Sequence, residues 1–136
     1  MSLAISTVLH LPFDEAVART RAALADQGFG ILTEINVKDT LKTKIDADME
    51  NYLILGACNP SLAHRALGVS RQIGLLLPCN VVVRTDPTNP SNSVVEAMNP
   101  DLMVEVSGVA ELAPVATDAS AKLSATIAAL EAIASA

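Results

Sequence analysis

The chain has 136 residues, 51% of them apolar and 2% aromatic, with a formal charge of −6 and a pI near 4.7. That length sets a single domain, residues 1–136, able to bury a core without disulfide or metal staples, and the apolar half excludes a disordered chain. An acidic protein repels phosphate polyanions, and three aromatic rings, Phe13, Phe29 and Tyr52, are too few to stack bases, which excludes nucleic acid as a partner.

Ser2 to Leu11, "SLAISTVLHL", is β-branched and roughly alternating, which predicts a strand. The first ten residues lack the charged n-region and cleavage site of a signal peptide, and no apolar run reaches membrane-spanning length. The expectation is a soluble, cytoplasmic protein with no membrane contact. "PFDEAVARTRAALADQGFG" predicts a helix with Phe13, Val17, Thr20 and Leu24 on one face, acidic residues in its first turn and Gly28 just past its end. "FGILTEI" predicts a strand. In "NVKDTLKTKI", Val37, Leu41 and Ile45 recur every four residues behind a capping Asn36, the pattern of a short helix.

"YLILGA" suits a buried strand. Asn59 caps the next helix, Pro60 takes its first position and Gly68 falls just past its end. "IGLLLP" fits either a strand or a helical turn, since few of its residues are β-branched. "NVVVRT" and "SVVEAM" flank "DPTNPSN", and together they predict a hairpin. "NPDLMVEVSG" reads as a loop with at most one helical turn after Pro100. A long helix closes the chain, capped by Thr117 or Asp118, with a stripe of Leu123, Ile127, Leu130 and Ala134. Five strands and two long helices predict an α+β two-layer sandwich: a mostly antiparallel sheet with one face under helices and the other open. Alanine-rich helices pack closely and favour a homodimer.

The familiar catalytic and cofactor motifs (GxGxxG, P-loop, HExxH, GxSxG, CxxC) are missing, so no cofactor is expected and no catalytic residue can be named. The notable features are two cysteine turns, "GACNP" and "LPCN". Cys58 lies one residue before the Asn59 cap, where free helix amides stabilise a thiolate. A buried, inert cysteine at a strand end fits the same residues. Cys79, between Pro78 and Asn80, reads as a small apolar filler or as the second member of a redox pair. With His64, the two cysteines make three soft ligands. A structural zinc site wants four and no fourth is evident, so a metal is not expected. His10 has no evident partner. Lys38, Lys42, Lys44, Arg65 and Arg71 read as a solvated face, and Glu34, Glu96 and Glu105 do not pair as acid and base.

The phrases "GFGILTEINVKDTLKTKI", "YLILGACNPSLAHRAL" and "GLLLPCNVVV" resemble the domain-of-unknown-function family three hundred and two, over nearly the whole chain. The resemblance implies a β-α-β(4)-α fold of the TATA-box-binding-protein-like kind, which makes "IGLLLP" a helical turn. It supplies no activity. It places Gly56, Cys58, Asn59, Pro60, His64, Pro78, Cys79 and Asn80 at signature positions. The candidate site is therefore Cys58, Asn59, His64, Cys79 and Asn80. The leading expectation is a non-enzymatic, homodimeric domain that binds a small ligand or a partner protein. Thiol-based redox or sulfur handling at Cys58, with or without Cys79, and metal binding through Cys58, His64 and Cys79 are the alternatives.

Overall fold

The structure, a computed structural model, describes residues 2–134. Five strands, β1 (Ala4–Leu9), β2 (Gly30–Asn36), β3 (Tyr52–Cys58), β4 (Cys79–Thr85) and β5 (Ser93–Met98), form one sheet in the order β1-β5-β4-β3-β2. Every neighbouring pair is antiparallel. The helices are α1 (Phe13–Asp26), α2 (Val37–Ile45), α3 (Pro60–Val69), α4 (Leu102–Ser107) and α5 (Ala113–Ala134). With α1 and α5 on one side of the sheet, this is the expected α+β two-layer sandwich. "IGLLLP" lies mostly within a tight 3-10 turn, Arg71–Leu76, as the family resemblance implied.

Local chemistry explains most element boundaries. Gly28, with φ +81°, ends α1 in the left-handed conformation that a β-carbon disfavours. Asn36 Oδ1 accepts from the Asp39 amide at 3.0 Å and caps α2. Three details depart from expectation. Gly68 lies inside α3, which runs on to Val69 and ends at an extended Ser70. Thr117 and Asp118 lie inside α5, not at its cap. The helix starts at Ala113, and Pro114 tolerates that first turn because an amide there has no intrahelical partner. The stretch after Pro100 forms a six-residue helix, α4, closed by Gly108 at φ +71°. The helical face of α2 buries none of its residues, and Ile45 is 70% exposed. At the C-terminus, the side chain of Ala134 and all of Ser135 and Ala136 lie outside the described residues.

Alternation decides which strand residues enter the core. Leu53, Leu55 and Ala57 on β3, Cys79, Val81 and Val83 on β4, and Val95 and Ala97 on β5 are buried. Most of them pack with Ala16, Leu24, Leu123, Ile127 and Leu130 in the main apolar cluster. A second cluster joins α3, the 3-10 turn, α4 and the start of α5 through Leu62, Ala66, Ile73, Met103, Leu112 and Val115. Helix α5 spans both: Val115, Ala116 and Ala119 serve the second cluster, Leu123 onwards the first. The buried hydroxyls of Thr20 and Thr126 donate to carbonyls one helical turn back, at 2.7 and 2.9 Å.

Candidate functional site

The site begins with the register of β3 and β4. Ala57 lies opposite Cys79 and Gly56 opposite Asn80. Cys79 therefore faces the helices, 6% exposed, while Asn80 is exposed on the open side of the sheet. Alternation alone would send Cys58 to that open side too. Cys58 is the last residue of the strand, paired with Gly30 on β2, and the chain then turns into α3 with Cys58 at the cavity's edge. Asn59 makes the turn: its Oδ1 accepts from the Leu62 amide at 3.3 Å, as a helix cap does. A β-carbon added to Gly28 would stand 3.1 Å from Asn59 Nδ2, so the end of α1 closes on this cap from the other side.

A cavity of about 30 Å³ sits where the two apolar clusters meet. Phe29, Ala57 and Cys79 form its sheet side, and Leu62, Met103 and Val115 its helix side. Cys58 and Asn59 also line it. Both cysteines are free, Cys58 half-buried and Cys79 buried. Burial, and secondly the neighbouring Cys58, push the Cys79 thiol up to about 11. Cys79 thus stays protonated at neutral pH and is not a nucleophile as the fold stands.

The five candidate residues are not brought together as one site. Cys58, Asn59 and Cys79 meet at the cavity; Asn80 lies across the sheet and His64 is exposed on α3, outside the cavity wall. Among the described residues no three His, Cys, Asp or Glu side chains are placed to hold a metal, so the set Cys58, His64 and Cys79 is not assembled. The reason is helical period: the wall uses Leu62, Ala63 and Ala66, a face that excludes position 64. Sequence reasoning missed Met103, buried on α4 and part of the same wall. Its only signal in the chain is a methionine inside "NPDLMVEV".

Several charged residues outside the cavity form ion pairs within the chain. Arg84 Nε donates to Glu96 Oε1 at 2.8 Å across β4 and β5, and Arg65 pairs with Asp118 at 2.7 Å. Lys42 holds Asp46 and Asp48 at 2.7 and 3.1 Å, closing the end of α2. Glu34 pairs with Arg21. His10, expected to stand alone, has Nδ1 at 2.9 Å from Asn92 Oδ1. No helix among the described residues is long and apolar enough to cross a membrane.

Comparison with known proteins agrees with this architecture. A crystal structure described as that of an uncharacterized conserved protein DUF302 from Bacillus stearothermophilus superposes with a TM-score of 0.86 at 24% identity, covering 96% of this chain and 99% of that one. That identity carries the fold and no more. No curated protein matches the chain. The model of the family "Domain of unknown function DUF302" matches residues 5–130, which takes in all five strands except Ala4 and most of α5. This chain belongs to the DUF302 family, whose function is unknown.

Proposed function

We propose that this protein is a non-enzymatic binding module that works as a homodimer through the open face of its sheet. The observation that carries the reading is the composition of that face. Cross-strand register lines up Ser6, Glu96, Val82, Ile54 and Ile35 in one row, with Val8, Val94, Arg84 and Tyr52 in the row beside it and Ala4, Met98, Asn80, Gly56 and Thr33 on the other side. Val8 and Ile35 are 45% and 48% exposed. The face is predominantly apolar, and its two charged residues, Arg84 and Glu96, neutralise each other within the chain. On a protein of charge −6, a neutral apolar face is where a second copy approaches with least repulsion and strands no buried charge.

Light scattering coupled to size exclusion tests this. The expected result is twice the monomer mass for the wild-type chain. Val82→Lys, placed mid-face, is expected to give a monomer whose melting temperature stays within a few degrees of the wild type. A wild-type monomer at all accessible concentrations overturns the homodimer.

Thiol chemistry at Cys58 is a second reading, favoured by its half-buried position directly before the α3 cap. At pH 8 a thiol with a pKa of about 11 is on the order of 100-fold less ionised than an ordinary one near 8.5. Iodoacetamide is therefore expected to label Cys58, the more exposed of the two, first, with Cys79 about 100-fold slower than an ordinary thiol until the fold is denatured. Mass mapping of the labelled peptides checks it; a native protein in which neither cysteine reacts removes the thiol reading.

A further inference from the structure

Three sulfur-bearing residues from three separate elements meet at the cavity between the two clusters: Cys58 at the end of β3, Cys79 at the start of β4 and Met103 on α4. Both cysteines of the chain are among them. No carboxylate, imidazole, amine or hydroxyl lines the cavity, and Asn59 supplies its one polar side chain besides the sulfurs. Two properties of the space select the ligand. Its volume of about 30 Å³ suits a single ion and excludes an organic molecule. Its donors are soft, which excludes magnesium and calcium, since both demand oxygen. Zinc would be left one donor short of its tetrahedral shell in an apolar wall. Thiolate and thioether together select Cu(I).

We propose that Cys58, Cys79 and Met103 form a site for one soft monovalent cation, Cu(I), held by the two thiolates and the thioether. On binding, two S–H bonds break, two protons pass to solvent and two copper–sulfur bonds form. Met103 adds a lone pair, the ion enters already as Cu(I), and no electron is transferred. The cation offsets one of the two thiolate charges, and the first turn of α3, directly after Cys58 and Asn59, presents its positive end at the same corner. The site lies on the helix side of the sheet, so it stands or falls independently of dimerisation through the open face.

The full-length chain, reduced and free of oxygen, is titrated with Cu(I) in competition with bathocuproine disulfonate. One ion per chain is expected, with two protons released per ion and an X-ray absorption shell of sulfur alone. Cys58→Ser and Cys79→Ser are each expected to weaken binding by at least about 100-fold. Met103→Leu conserves volume and is expected to stay folded while losing about tenfold in affinity. Far-UV circular dichroism on each variant separates lost ligands from lost fold. Wild-type affinity in Met103→Leu, nitrogen or oxygen neighbours in the metal shell, zinc competing on equal terms, or one ion shared between two chains each overturns the proposal.

Discussion

Leu55→Ala is expected to lower the unfolding free energy by about 3–4 kcal/mol, the upper part of the range for emptying a buried leucine. Leu55 is 0% exposed and sits mid-strand in β3, opposite Val81 on β4 and Glu34 on β2. Hydrogen-bonded ladders on both sides hold its backbone in place. The sheet therefore cannot sag to fill the void, and the cavity term adds to the lost transfer energy. Urea denaturation with an unchanged m-value measures the effect. A loss below about 1 kcal/mol would mean that Leu55 is not walled in on both sides.

Gly56→Ala, one residue further and on the opposite face, is expected to cost about 2 kcal/mol by overpacking. In an ordinary strand the change would help, because glycine loses more backbone entropy on folding, roughly 0.5–1 kcal/mol against alanine. Here crowding wins. A β-carbon at Gly56 would overlap Thr33 Oγ1 and stand 2.8 Å from Cγ of Pro78. Thr33 reaches this place because β2 carries a register irregularity between Ile31 and Thr33, which sets Thr33 directly against Gly56. Thr33 is exposed, so Thr33→Ala alone is expected to cost less than about 0.5 kcal/mol. In that background the Gly56→Ala penalty is expected to fall by about half, with the rigid Pro78 ring keeping the rest. A double-mutant cycle by thermal unfolding reads this coupling; a stabilising Gly56→Ala in the wild-type background contradicts the close approach.

These neighbouring residues show how much was legible beforehand. "YLILGA" could be read as a buried strand from its apolar run, and alternation then assigns Leu55 and Gly56 to opposite faces. Nothing in the phrase says that Gly56 is required by a threonine 23 positions earlier and a proline 22 positions later, since both approach through strand pairing. The same division runs through the candidate site. The Asn59 cap, Pro60 at the first helical position and the hairpin around "DPTNPSN" are local, and their chemistry is complete within a few residues. The misplaced start of α5 is also informative. Thr117 and Asp118 are good capping types, but Val115 and Ala116 are needed as buried helix surface against Leu62 and Met103, and that packing extends the helix past them.

By itself, then, the sequence determined the α+β class, the order of elements, the DUF302 kinship and the placing of Cys58 against a helix start. These follow from side-chain period, capping and turn residues, all of which act within about one turn of helix or one hairpin. Only the tertiary structure decided which signature residues share a site. Strand register sent Cys79 inward and Asn80 outward, helical phase turned His64 away, and the docking of α4 brought Met103 to the two cysteines. Such choices depend on contacts between segments far apart in the chain, and no short-range pattern encodes them.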